Sequence, residues 1–234
     1  PDGGAMRFHA GQYINILLDD GAKRSFSFAS APPAGGASDD IELHVRLVPG
    51  GRFTTRVFSA MKVGDIVRFE GPLGAFTLRE DSDKPIIFVA GSTGFAPVKS
   101  MLEYAFRQKL ARRMILYWGV RSRADLYLGS LAEQWAREHT NFTFIPVLSA
   151  PLPEDHWDGR TGLVHEAILA DFPDLSAHQV YACGSVQMVA AAQPAFVEHG
   201  IASADCFADA FHLAPQKAVG SAQSEMVALG GSHV

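Results

Sequence analysis

Five consecutive apolar residues, Ile86-Ile87-Phe88-Val89-Ala90, run straight into Gly91-Ser92-Thr93-Gly94, and a helical pattern follows from about Ala96 to Lys109. An unbroken apolar run of this kind reads as a strand buried on both faces, as in a parallel sheet covered by helices. The same alternation continues beyond it. Strands are predicted at Met114 to Trp118, Phe142 to Leu148 and Gln179 to Ala182, with a short last one at Cys206 and Phe207. Helices are predicted at Leu126 to Arg137, Thr161 to Leu169 and Val186 to His199. Alternating strands and helices predict a doubly wound parallel sheet over about residues 84–213. Ligands on such sheets sit at the C-terminal ends of the strands.

The first 80 residues have a different character. Gln12 to Leu18, Arg24 to Ala29, Ile41 to Val48, Ile66 to Glu70 and Phe76 to Leu78 are β-prone, and Gly, Pro and Asp separate them. Only Phe53 to Met61 reads as helical. Short strands with turn signals predict a small antiparallel Greek-key barrel. Five strands are thin for closure, so the expectation is a barrel whose first strand lies before Pro1. Asp81-Ser82-Asp83-Lys84-Pro85 reads as the linker between the two parts, and residues 214–234, rich in Ala, Gly, Ser and Gln, as a disordered tail.

Composition narrows the function. A formal charge of −5 and a pI near 6.0 give no reason to expect nucleic acid. No stretch is long and apolar enough for membrane insertion. Two cysteines, Cys183 and Cys206, cannot make a disulfide framework and point to a reducing, cytoplasmic setting. They also cannot supply the four thiolates of an iron–sulfur cluster within this chain. His9, His44, His165, His178 and His212 show no metal-binding spacing.

Several segments carry candidate chemistry. Gly91, Thr93 and Gly94 form the small-residue turn, and Pro97 suits a first helical turn. The turn departs from G-x-G-x-x-G, and no Lys follows it. Arg24 and Ser27, three apart on a strand, point to opposite faces, so one can hold a phosphate while the other faces a ring, with Phe26 packing on an apolar ring system. An ordinary edge strand would look the same. Gly51, Phe53 and Thr54 open the helix of the first part, where free N–H groups suit a diphosphate; taken singly, this is a plain Thr cap. Cys183-Gly184 follows a strand, and Gly184 allows close approach. With His178 at the other end of that strand, a cysteine hydrolase is not indicated, and Cys183 alone reads as a buried structural thiol. Asp209 and Phe211 share a face if extended, as a carboxylate beside a ring-stacking aromatic or as a surface acid and a core Phe. Arg121, after Gly119, either touches a ribose or phosphate or is simply exposed.

In this order, the segments resemble the ferredoxin–NADP reductase superfamily. Arg24-Ser25-Phe26-Ser27, Gly51 to Thr54, Gly71-Pro72-Leu73-Gly74, Gly91 to Pro97 and Cys183 to Met188 all match, as does Asp209-Ala210-Phe211. The likeness is nearest to bacterial NAD(P)H:flavin oxidoreductases and oxygenase reductase components, including CDP-6-deoxy-glucoseen reductase-like proteins. The resemblance implies a flavoprotein oxidoreductase that binds FAD in the barrel and NAD(P)H on the sheet. Arg24 would bind the FAD pyrophosphate, Phe26 pack on the flavin in place of a usual Tyr, and Ser27 hydrogen-bond at flavin N5. His44, Val45 and Arg46 would line the flavin and phosphate side, and Gly51, Phe53 and Thr54 would meet the pyrophosphate. Gly91, Thr93 and Gly94 would bind the nicotinamide nucleotide, with Gly119, Arg121 and Met188 around it. Cys183 would sit by nicotinamide C4, with Gly184 allowing the approach. Asp209 takes the place of the family's carboxylate and Phe211 that of the aromatic covering the ring. Ser149-Ala150 stands where NADP-specific members have Ser-Arg, so NADH is expected over NADPH. Hydride would pass to the flavin, and electrons on to an iron–sulfur domain or partner, or to an oxygenase or dehydrase component. The alternatives are a flavin reductase releasing reduced flavin, and a non-catalytic flavin-binding module.

Overall fold

The computed structural model describes residues 5–211. The expected tail at 214–234, and His212, lie outside them. The first part holds β1 (Met6–Arg7), β2 (Tyr13–Leu17), β3 (Lys23–Ser27), β4 (Ala37–Ser38), α1 (Arg52–Ser59) and β5 (Phe69–Leu73). The second holds β6 (Ile86–Gly91), α2 (Phe95–Arg107), β7 (Met114–Val120), α3 (Gly129–Glu138), β8 (Phe142–Leu148), β9 (Arg160–Thr161), α4 (Val164–Asp171), β10 (Gln179–Ser185), α5 (Val186–Glu198) and β11 (Cys206–Phe211).

The second part matches the expected architecture. Its six strands are all parallel, in the order β11-β10-β6-β7-β8-β9. Alternate residues feed two cores. Ile86, Phe88, Leu116, Trp118 and Tyr181 pack on one face with Phe95, Met101 and Leu102 of α2. Ile87, Val89, Tyr117 and Val180 pack on the other with Ile168 of α4 and Phe196 of α5. Burial on both faces accounts for the apolar run at 86–90. β9 and the extension of β11 to Phe211 were not foreseen, because both lie in polar or mixed sequence.

The first part is less regular than expected. Among the described residues the barrel strands form two small antiparallel sheets, β1-β4 and β3-β2-β5. No strand forms at 76–78, and the strand placed at Ile66 to Glu70 falls instead at Phe69–Leu73, leaving Ile66 on the surface. Residues 41–48 pair only once, through a bridge from Leu43 to Phe28. Glu42, His44 and Arg46, on alternate positions there, hydrogen-bond to the second part instead. The core here is Phe8, Ile14, Ile16, Phe28 and Phe53, with Phe8 and Phe28 stacked at 4.0 Å.

The segment read as a linker is tied down. Arg112, itself buried, donates Nε to Lys84 O, Nη1 to Arg79 O and Nη2 to Gln179 Oε1, each at 2.7 Å. Arg79 N donates to Tyr181 Oη at 2.9 Å, and Lys84 Nζ pairs with Asp205 at 2.7 Å.

The closest packing in the sheet lies where strand order reverses, between β6 and β10. A Cβ on Gly94 would collide with the Cys183 carbonyl. Gly94→Ala is therefore expected to destabilise the protein by about 1–3 kcal/mol in urea unfolding, the usual cost of overpacking. Gly35→Ala, where a Cβ meets open space, should stay within about 0.5 kcal/mol.

Candidate functional site

A reversal of strand order in an open parallel sheet leaves a crevice at the C-terminal strand ends, because the two flanking connections depart to opposite faces. Here that crevice lies between the ends of β6 and β10, so the Gly91–Gly94 turn and Cys183-Gly184 become neighbours. The turn is a single 3-10 turn, Ser92–Gly94, that runs into α2. Ser92 has φ 51, the left-handed region that favours glycine and costs other residues about 1–2 kcal/mol. Two contacts hold it there. Trp118 Nε1 donates to Ser92 O at 3.0 Å, and Arg46 reaches Ser92 Oγ at 3.4 Å. Thr93 is half-buried beside it.

The glycines at this crevice serve protein packing. A Cβ on Gly184 would lie 2.8 Å from the Met188 methyl and 3.1 Å from Gly91 Cα. A Cβ on Gly119 would lie 2.8 Å from Val164 Cβ. Met188 thus caps the two strand ends, and Pro97 is buried in the first turn of α2. Arg121 is exposed just past β7, its carbonyl accepting from Ala150 N at 2.9 Å. Arg123 is committed to the Asp155 carbonyl at 3.2 Å.

Cys183 is fully buried, and burial first, then the Asp209 charge, pushes its thiol well above the ordinary range. It is a neutral thiol, not a thiolate nucleophile. Asp209 is its register partner on β11, and in a parallel pair the two side chains share a face. Phe207 and the half-buried Phe211 lie on that face too. A cleft of about 260 Å³ opens beside them, walled by Tyr13, Gly74, Ala75 and Phe76 from the first part and Phe207, Ala208 and Asp209 from the second. Tyr13 is the cross-strand partner of Ser27, so Ser27 and Cys183 each have a register neighbour on one wall of the same cleft. A slightly larger cleft, about 280 Å³, lies at the opposite, N-terminal end of β10 between Arg79 and Asp205, away from these groups.

The remaining candidates divide. Arg24 and Phe26 share the face opposite Ser27, and Arg24 Nη1 donates to the Lys23 carbonyl. Phe26 packs on Phe53, centroids 5.3 Å apart, against the core of the first part. The cap of α1 is Gly51 rather than a threonine. Thr54 is buried, and its hydroxyl accepts from Val48 N at 3.2 Å and bonds Val48 O and Gly51 O, so the side chain fastens the loop before the helix.

His44 stands in a network that sequence reading did not find. His44 Nε2 lies 2.9 Å from Glu42 Oε1, and Nδ1 lies 2.7 Å from Tyr127 Oη. Burial holds Tyr127 protonated, far above its usual range, so its hydroxyl donates to Nδ1 and the neutral imidazole donates from Nε2. Lys99 completes the network, bonding Glu42 and Glu103. Val45 lies between His44 and Arg46 on the unpaired segment. The overlooked signal was Lys99 itself, a cation inside a helix otherwise buried from Phe95 to Leu102.

The donor set fits two nucleotides. Small residues and the start of a helix under the Arg46 guanidinium suit a phosphate. An aromatic-walled cleft with a carboxylate suits a ring system. Comparison with known proteins agrees. The model of the oxidoreductase FAD-binding domain matches residues 2–78, and that of the oxidoreductase NAD-binding domain matches residues 88–194. The NAD(P)H-flavin reductase of Aliivibrio fischeri is 34% identical over 88% of this chain and 87% of its own length. The chain belongs to the family of FAD- and NAD-binding oxidoreductases that includes this flavin reductase. Among other relatives of this oxidoreductase, the CDP-6-deoxy-L-threo-D-glycero-4-hexulose-3-dehydrase reductase of Yersinia pestis is 44% identical over 90% of this chain. The chain spans 62% of that relative's length. The crystal structure of the Amycolatopsis cytochrome P450 reductase superposes with a TM-score of 0.80 at 34% identity, over 88% of this chain and 62% of that one. The two-domain fold, the oxidoreductase class and the FAD and nicotinamide cofactors follow. No group of three or more potential metal ligands occurs among the described residues, and no described helix is long and apolar enough to cross a membrane.

The His44 network gives a pH dependence. Burial outweighs the raising effect of Glu42 and sets His44 below its ordinary value, so the folded state resists the proton that the unfolded chain takes up. This stability is fully present above about pH 6.5 and is lost as the pH falls below it. His178, also lowered by burial, adds to the slope. The melting temperature is expected to drop between about pH 7.5 and 5.5, and the drop to be smaller in His44→Asn.

Proposed function

We propose that this oxidoreductase passes a hydride from NADH to FAD and sends the electrons on to an iron–sulfur domain or partner. The register pairing of Cys183 with Asp209 beside the cleft carries this reading. Bound there, the two cofactors supply the redox chemistry, and the protein supplies orientation and a proton path. Cys183, a neutral and inflexibly packed thiol, sets how deeply the nicotinamide ring enters. Asp209 holds a negative charge beside it, and Ser27 offers a hydroxyl toward flavin N5 from the other wall. Phe211, half-buried at the end of β11, covers the ring place and has to shift to admit the nicotinamide. Arg24 and Arg46 serve phosphate charge.

The choice of NADH rests on Ser149-Ala150, which offers no cation where a 2′-phosphate would lie; Arg121 leaves NADPH tolerated. An electron-accepting partner is supported by the relatives, which by their names reduce a hexulose dehydrase system and a cytochrome P450. An oxygenase or dehydrase component is the corresponding partner here, in a reducing, cytoplasmic setting that keeps both cysteines free. A second reading, release of reduced flavin as product, is favoured by the likeness to the flavin reductase along most of that protein's length. Retention of FAD through gel filtration separates them: firm retention supports the first, loss with turnover of added flavin the second.

The test is anaerobic addition of NADH, then NADPH, to the FAD-reconstituted protein, following the flavin band at about 450 nm. Rapid bleaching with NADH is expected. In Cys183→Ala and Ser27→Ala it should slow by about tenfold or more at saturating nucleotide, equivalent to about 1.4 kcal/mol of lost transition-state stabilisation. No bleaching with FAD firmly bound would sink the catalytic reading.

A further inference from the structure

Four polar side chains of α2 grip four consecutive residues of the segment that leaves β3. Lys99 Nζ donates to Ala29 O at 2.9 Å, and Ser100 Oγ donates to Ser30 O at 2.8 Å. Ala31 N donates to Glu103 Oε2 at 3.0 Å, and the Arg107 guanidinium donates to Pro32 O. The order is preserved along both segments. From Lys99 to Arg107 the helix advances about 12 Å. From Ala29 to Pro32 the chain can span at most about 11 Å. The two lengths match, so the segment runs beside the helix. A slip by one residue would break all four bonds together.

The ends of this seam are the places that matter for the chemistry. The segment starts two residues after Ser27, and α2 starts directly after the Gly91–Gly94 turn. Lys99 is 5% exposed and anchors the seam twice over. Besides Ala29 O it bonds Glu42 Oε2 at 2.9 Å and Glu103 Oε1 at 2.7 Å. Glu42 lies on the same segment, residues 41–48, as Arg46, which reaches back to Ser92. This buried cation thus holds one carbonyl and two carboxylates, drawn from both parts of the molecule.

We infer that Lys99 is a positioning residue for hydride transfer: through this seam it fixes the Ser27 end of the flavin strand relative to the nucleotide turn. The inference rests on the hydride-transfer reading above. Misplacement of reacting groups by about 1 Å costs on the order of a hundredfold in rate without any loss of a reacting group. Lys99 touches neither the cleft wall nor the turn, so its effect has to appear in rate rather than in cofactor affinity.

The test uses the FAD-reconstituted full chain in anaerobic stopped flow, comparing wild type, Lys99→Met and Lys99→Arg. In Lys99→Met, the FAD and NADH dissociation constants are expected to stay within about twofold, while saturated flavin reduction slows by about tenfold or more. The long-wavelength charge-transfer absorbance of stacked nicotinamide and flavin should weaken in parallel, and Lys99→Arg should recover part of both. Wild-type reduction rates with cofactors bound, or weakened FAD binding with an unchanged saturated rate, would overturn the inference. If Lys99→Met does not fold, Glu103→Gln serves, since it keeps an acceptor for Ala31 N and removes one ion pair. It should slow saturated reduction by at least about threefold, and an unchanged rate would equally overturn the inference. Absence of reduction in the wild type would instead sink the hydride-transfer reading itself.

Discussion

The closeness of two strand ends governs this molecule. β6 and β10 lie side by side at the point where strand order reverses, and their C-terminal ends meet with almost no side chain between them. Gly94 lies against the Cys183 carbonyl, and Gly91 against Gly184, under the Met188 side chain. Larger residues there would push the strands apart or lift α2 off the sheet. Because the fit is made by backbone, the turn at 91–94 and the thiol of Cys183 hold fixed places with respect to each other. Ser92 accepts a left-handed backbone to complete this fit, held by Trp118 and Arg46.

The sequence made the parallel half legible and the antiparallel half only partly so, for a physical reason. Strands buried on both faces have to be apolar throughout, so β6 and β7 stand out as unbroken runs. Phe142 to Leu148 was placed to the residue. In the first half, extended backbone did not always mean a strand. Residues 41–48 alternate as a strand should, but Glu42, His44 and Arg46 are satisfied by side chains of the other part, so little ladder forms. Sequence pattern reports which residues want a partner; it does not say whether the partner is a neighbouring strand or another domain.

The same limit applies to the site. Gly91, Cys183 and Asp209 could be singled out as candidates because each falls at or near the C-terminal end of a strand, where such a fold collects ligands. The Glu42–Lys99–Glu103 network was missed because Lys99 meets Glu42 from 57 residues away and Ala29 from 70. Thr54 had the right residue type for an anion, yet its hydroxyl is used locally. Short-range motifs therefore located the crevice, and long-range polar contacts, invisible to them, set its surroundings.

The anchoring of residues 79–84 has a consequence for how the molecule comes apart. Arg112 has neutral acceptors for its guanidinium, and burial already lowers its pKa by disfavouring its charged form. Releasing the segment would take away two of that cation's three acceptors and leave only Gln179. Loosening the connection between the two parts thus removes two of the three bonds that satisfy this cation and weakens the nucleotide half with it. Although built as two domains, the chain is wired to melt as one cooperative unit.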